Sequence, residues 1–283
     1  MPELPEVERG RRIAERVAVG RRILTVWCAD DPIVFEGVPP ARIRRALLER
    51  TIVEARRWGK VLWLTLDRAP HPQFHFGMTG AFRTRGDEPL PLATGPRIDD
   101  STWPPRFTKI RLSFDDGGEL VMTNARRLGR IRLVADPERD PPVGKLGFDP
   151  YLALPELQDF SERVRRRKVT LKGLLLDQKF AAGVGNWMAD EVLYQARLDP
   201  RRRADSLTPD EVRLLRTQLK YVVKTAVDAN ADKSRFPRTW LFHHRWGKDP
   251  EARTARGEVV EHIEVAGRTT AWVPSVQRMR RRK

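Results

Sequence analysis

Between Ala135 and Pro155 the chain reads ADPERDPPVGKLGFDPYLALP. Proline fixes φ and removes a backbone donor, so neither a continuous helix nor a central strand crosses such a run. It separates two halves of different character. Ahead of it lie short β-branched or aromatic runs at 23–28, 61–66, 73–76, 110–114, 120–123 and 131–134, divided by turn signals such as Asp115-Asp116-Gly117-Gly118. Behind it the apolar spacing turns helical, at 157–166, 171–180, 187–195 and 209–229. Strands followed by helices, rather than alternating with them, make an α+β chain with an N-terminal antiparallel β-sandwich and a helical C-terminal domain.

The sandwich is preceded by a helix over 5–19, with Pro5 in its first turn, Glu6 and Glu8 facing the positive end of the helix dipole, and Gly20 closing it. The Pro/Gly/Asp-rich stretch 84–106 reads as a loop. In the longest helix, Val212, Leu215, Leu219, Val222, Val223 and Ala226 recur at i, i+3, i+4 spacing. A hairpin, VVEHIEV-AGR-TTAWV, closes the chain ahead of a basic tail. The expected domains are 1–135, a linker at 136–156, a helical domain at 157–238 and a hairpin finger with tail at 239–283; a chain of 283 residues suits that division.

Fifty-four Lys and Arg against 38 Asp and Glu give a net charge of +16. That excess points to a polyanion, nucleic acid ahead of an anionic membrane. Cys28 is the sole cysteine, which excludes an intramolecular disulfide framework and a cysteine-clustered zinc site. No apolar run approaches the roughly 20 residues of a membrane span, and the N-terminus lacks a secretory layout. The expectation is a soluble, intracellular monomer with neither metal nor cofactor.

Within this basic chain the first residues, MPELPEVE, are acidic. A helix start explains them in part. An α-amino group is far more neutral at pH 7 than a lysine, and the following helix dipole lowers its pKa further. With Met1 removed, Pro2 would present a secondary amine able to form an iminium with a sugar carbon, flanked by Glu3 and Glu6 for proton transfer. Farther on, His75-Phe76-Gly77-Met78-Thr79-Gly80 places an apolar Met between glycines, and Asn124-Ala125-Arg126-Arg127-Leu128-Gly129 repeats the design with two arginines. Either is an ordinary loop or a wedge for a base stack. Lys60 opens a strand, at a solvated edge or on a phosphate. Gly183-Val184-Gly185-Asn186 separates two helices, with Asn186 expected at the N-cap and Lys172 and Lys179 on the helix before it. This is a helix–helix turn or a phosphate site.

Taken together, these residues resemble the formamidopyrimidine-DNA glycosylase/endonuclease VIII family, over essentially the whole chain and in the right order. PELPEVE at 2–8 carries most of the likeness, and Leu4 favours the formamidopyrimidine branch. The resemblance implies a bifunctional glycosylase and abasic-site lyase of base excision repair acting on damaged double-stranded DNA. Pro2 would attack C1′, Glu3 would be the general acid/base, Glu6 would fix the amine, and Lys60 would grip a phosphate at the lesion. His75, Met78, Arg126, Arg127, Leu128, Lys172, Asn186 and Arg268 would contact DNA, with Met78, Arg126 and Leu128 filling the gap left by the flipped nucleotide. Strand cleavage would follow by β,δ-elimination.

Two departures qualify the likeness. With no cysteine beyond Cys28, 236–248 and 267–277 resemble the zincless finger of plant and fungal members, packed through Val259, Ile263, Val265, Ala271 and Val273. The stretch 229–240 is too short for the loop that covers 8-oxoguanine in common bacterial enzymes, so the expected substrates are oxidised purines with a preference for hydantoins and formamidopyrimidines, together with abasic sites, and 8-oxoguanine is left open. Leu128 stands where bacterial enzymes usually carry Phe, which implies looser discrimination of the opposite base. An oxidised-pyrimidine specificity of the endonuclease VIII type, and a non-catalytic nucleic-acid binder, are the alternatives. Arginine-rich composition suits a bacterial source, in cytoplasm and nucleoid; the terminal RMRRRK reads as a solvated basic tail ahead of a nuclear signal, which it would be in a eukaryote.

Overall fold

The computed structural model describes residues 2–86 and 102–278, which form two units, 1–145 and 146–283. The stretch expected as a linker is shared between them. Residues 136–145 fold with the first unit, where Glu138 pairs with Arg56 and Val143 is buried, and Phe148 bridges to Ala181 in the second. Of the loop expected at 84–106, residues 87–101 lie outside the described residues.

In the first unit, helix α1 (Leu4–Ala18) precedes two four-stranded antiparallel sheets. One has the order β1-β6-β7-β5, from β1 (Ile23–Cys28), β6 (Thr108–Phe114), β7 (Glu119–Thr123) and β5 (Ala81–Arg83). The other runs β2-β3-β4-β8, from β2 (Ile52–Trp58), β3 (Val61–Leu66), β4 (His71–His75) and β8 (Arg130–Val134). Strand alternation puts Leu62, Leu64, Phe74 and Ile131 of one sheet in the same core as Ile110, Leu112, Met122 and Phe82 of the other. Phe74 and Phe82 meet edge to face, ring centroids 5.0 Å apart, across that core. The six expected strands all form. Helix α2 (Pro40–Leu47), β2 and β5 are additional.

In the second unit, α3 (Leu157–Arg165), α4 (Leu171–Leu176), α5 (Asn186–Gln195) and α6 (Pro209–Asp228) are followed by the hairpin of β9 (Glu261–Val265) and β10 (Arg268–Trp272). The helix expected over 171–180 ends at Leu176, because Asp177 takes an extended conformation and its side chain caps Lys179 N–H. Helix α6 starts with a Thr208/Glu211 capping box and buries all six of the residues that mark its apolar stripe. The hairpin rests on Tyr194, Leu241, Val260, Ala271 and Val273. Val260 takes the inward position expected for Val259, which is exposed. No helix among the described residues is long and apolar enough to cross a membrane.

Candidate active site and nucleic-acid contacts

Glu3 stays extended (φ −111°, ψ −168°) and caps α1. Its carboxylate accepts from the Glu6 N–H, and its own N–H donates to Glu6 Oε2 at 2.9 Å, a reciprocal capping box. Pro2 and Glu3 are both buried. Glu6 therefore does more than complement the helix dipole: it folds back to within one peptide unit of Pro2. Burial, reinforced by the neighbouring Glu3 carboxylate, pushes its pKa up to about 7. A group so tuned exchanges its proton near neutral pH.

Glu8, the third glutamate of the opening stretch, is spent on anchoring. It is buried, and Arg57 of β2 donates to it through Nε at 2.8 Å, with Arg11 also donating to it. Helix α1 is thereby tied to the second sheet.

The two glycine-bounded loops meet. Asn124 Nδ2 donates to the Phe76 carbonyl at 2.9 Å, Gly129 N–H to Asn124 Oδ1 at 3.1 Å, and Arg126 N–H to Thr79 Oγ1 at 3.2 Å. Gly77, at φ +61°, approaches so closely that a Cβ there would lie 2.4 Å from the Leu128 carbonyl. This pairing gathers Met78, Arg126 and Leu128 on one platform; Met78 is half-buried, Arg126 and Leu128 exposed. Arg127, at φ +54°, turns back to Asp31, a buried carboxylate that it grips through Nε and Nη2 at about 3.0 Å while Lys109 holds it at 2.7 Å. Burial alone would raise the Asp31 pKa, but these two cations hold it well below the usual range.

Lys60 sits in the two-residue turn between β2 and β3, and the Val61–His75 pairing of β3 with β4 brings it beside His75. Burial, then the charges of Lys60, Arg132 and Arg130, push the His75 pKa down to about 4. The ring is neutral at pH 7 and its Nδ1 accepts from Gly77 N–H at 3.2 Å, so Nε2 carries the proton. His75 is thus a neutral donor and not a cation.

In the second unit, Gly185 occupies the N-cap expected for Asn186, and Asn186 is the first residue of α5. One side chain that local spacing did not reveal braces the turn: Gln178 donates to the carbonyls of Leu176 and Val184 and accepts from Gly183 N–H. Asn186 Nδ2 donates to the Thr269 carbonyl at 2.9 Å. The expectation that Lys172 contacts a phosphate is corrected. It is fully buried, with its ammonium paired to Asp190 and donating to the Asn186 carbonyl at 2.8 Å. Arg268, exposed at the first position of β10, follows the turn of Ala266 and Gly267.

The sequence matches the family models described as the formamidopyrimidine-DNA glycosylase N-terminal domain, over residues 1–131, and the formamidopyrimidine-DNA glycosylase H2TH domain, over 146–238. It is 42% identical over 279 residues to a formamidopyrimidine-DNA glycosylase of Arabidopsis thaliana, covering 99% of this chain and 71% of the relative. The chain belongs to the formamidopyrimidine-DNA glycosylase family. The Thermus thermophilus member is 34% identical, with 98% of both chains covered. The fold matches that of a Lactococcus lactis member crystallised with Fapy-dG-containing DNA, at a TM-score of 0.79 and 26% identity over 98% of this chain and 100% of the other.

In this family member Glu191, also unremarked in the sequence, is wholly buried on α5 and accepts from Phe242 N–H and from Gln195 Nε2, both at 2.8 Å. Burial is the main cause that pushes its pKa up to about 7. Between pH 4.5 and 7 the unfolded chain ionises this group while the folded one keeps its proton, so its contribution to stability falls as pH rises through that window. Glu191→Gln keeps an acceptor for Phe242 and cannot ionise. Its melting temperature relative to wild type is expected to climb between pH 5 and pH 8; a constant difference in thermal scans would refute the raised pKa.

Proposed function

We infer that the residues around Pro2 carry out base excision followed by strand cleavage on oxidised purine lesions. The protein is a base-excision-repair DNA glycosylase, and its site of action is DNA, in a nucleoid on the arginine-rich composition. The observation that carries the reading is the arrangement at the start of α1, where a buried Pro2 is followed by two carboxyls joined in a capping box, one of them tuned to about pH 7.

Once Met1 is removed, the Pro2 nitrogen attacks C1′ of the damaged nucleotide. The bond from C1′ to the base breaks, and the base leaves with its electron pair and the proton that the Pro2 nitrogen sheds on bonding to C1′. Glu3 protonates the ring oxygen as the sugar opens, and an iminium joins Pro2 to C1′. That cation acidifies C2′. Loss of a C2′ proton expels the 3′ phosphate, a second elimination expels the 5′ phosphate, and water then frees Pro2. Glu6 holds the backbone beside the amine and takes up or returns protons near neutrality. Met78, Arg126 and Leu128 fill the vacated stack, while Lys60, His75, Arg127, Asn186 and Arg268 contact the strand.

Formamidopyrimidines, hydantoins and abasic sites are the preferred lesions, with 8-oxoguanine a poor one. The segment between α6 and Leu241 supports this. Only twelve residues long, it is committed to packing: Phe236 and Trp240 stack with Trp187 of α5, centroids 5.7 and 6.5 Å away. No length remains for a long cover over a flipped base.

Borohydride trapping on duplexes carrying an abasic site or a hydantoin tests the reading. A covalent adduct should form with the processed protein, fall in Pro2→Gly, which keeps only a primary amine there, and vanish in protein that retains Met1. An undiminished adduct in protein that retains Met1 would place the nucleophile elsewhere, and no adduct at all with the processed protein would remove the Schiff base and the strand cleavage that depends on it. Faster excision of 8-oxoguanine than of hydantoin in the same assay would overturn the lesion preference.

A further inference from the structure

A two-stranded hairpin is marginal by itself. Strand β10 pairs with β9 along one edge only, yet it presents Arg268 at its first position. Its other edge is held by side chains of α5. The Thr269 carbonyl accepts from Asn186 Nδ2 at 2.9 Å, and the Ala271 N–H donates to Asp190 Oδ2 at 3.1 Å. The match is geometric. Four residues along a helix rise about 6 Å, and two residues along a strand about 6.6 Å, so an i, i+4 pair on a helix meets successive same-edge groups of a strand.

Asp190 is held in turn from two further directions. Lys172 of α4 pairs with its Oδ1, and the Arg245 guanidinium reaches Oδ2 through Nη2 at 2.6 Å and Nε at 3.2 Å. Lys172 also donates to the Asn186 carbonyl. All three charged residues are buried. One carboxylate therefore ties α4, the Gly183–Asn186 turn, the segment after Leu241 and the hairpin into a single cluster.

We propose that Asn186 and Asp190 are positioning residues that lock the Arg268 hairpin to the turn carrying Asn186, so that the two DNA contacts are presented as one rigid unit. The proposal rests on the reading of Asn186 and Arg268 as phosphate contacts. In this chain a buried carboxylate joins the finger to the helices, and loss of that carboxylate takes a buried counter-charge from Lys172 and Arg245.

The test compares wild type, Arg268→Ala, Asp190→Asn and the double variant, binding full-length protein to a duplex with a tetrahydrofuran abasic analogue over a range of salt. Arg268→Ala should weaken binding about tenfold and lower the salt slope by about one. Asp190→Asn, isosteric and buried, should do the same. The double variant should stay within about twofold of the weaker single, because both remove one contact. Arg245→Lys keeps the charge but loses the fork; it should give a smaller loss that likewise disappears in the Arg268→Ala background, and it serves where Asp190→Asn does not fold. Additive losses would overturn the proposal. So would wild-type affinity and salt slope in both Asp190→Asn and Arg245→Lys with only a lowered melting temperature. Wild-type binding by Arg268→Ala would instead overturn the phosphate reading. Amide exchange at Ala271, slow in wild type and fast in Asp190→Asn, then still decides the lock without DNA.

Discussion

Glu3→Gln should slow single-turnover excision from formamidopyrimidine-containing duplex by about a hundred- to ten-thousand-fold, the range spanned by positioned acid/base groups. Its melting temperature should barely move. Glutamine retains an oxygen to accept the Glu6 N–H, and the Glu3 N–H still donates to Glu6, so the capping box survives. What disappears is the capacity to carry a proton in a buried position beside Pro2. Rapid-quench kinetics check the rate, and circular dichroism checks the fold. A rate within threefold of wild type would remove Glu3 from the chemistry. A large fall in melting temperature would show that the substitution acts through the helix start.

The second large effect concerns stability. Glu8→Ala should cost about 3–5 kcal/mol, because it leaves Arg57 buried beside an empty site. The pair has side-chain exposures of 5% and 0%, a regime where Coulomb attraction and desolvation are both large. For a domain of this size the loss corresponds to roughly 6–20 °C in melting temperature. Glu8→Leu with Arg57→Met should recover most of it, since two apolar groups of similar volume bring no desolvation cost. If the double variant melts as low as Glu8→Ala, shape and not charge balance governs the site. Calorimetry of the three proteins decides.

These two residues also illustrate what the sequence made legible. The strands written as short apolar, β-branched or aromatic runs, such as Ile23–Cys28 and Val61–Leu66, were readable to the residue. Strand β2 was not, because Glu54 and Arg56 face outward and its inward position at 57 is an arginine neutralised by a helix 49 residues earlier. Helix α2, eight residues that begin at the second of two prolines, is too short for periodicity to emerge, and β5 has only three residues. In the second unit the Gly183–Asn186 turn stood out, whereas the N-cap lay one residue earlier than spacing suggested. Lys172 shows the firmer limit. Nothing local distinguishes a solvated lysine from one whose counter-charge lies 18 residues ahead on a different helix. Asp31 is hidden for the same reason, its partners Lys109 and Arg127 being brought to it only by the fold.

Gly10, on the buried face of α1, offers a last consequence. A Cβ at that position would fall 2.8 Å from the Phe76 ring, inside any tolerable contact. Phe76 opens the loop that carries Met78, and its ring stacks edge to face on Phe82 at 5.3 Å, so it has little room to retreat. The clearance between the helix that begins just after Pro2 and the loop that carries Met78 is thus set by a missing methyl group. An added carbon at residue 10 would act as a shim, prising that helix away from that loop while leaving every other side chain unchanged.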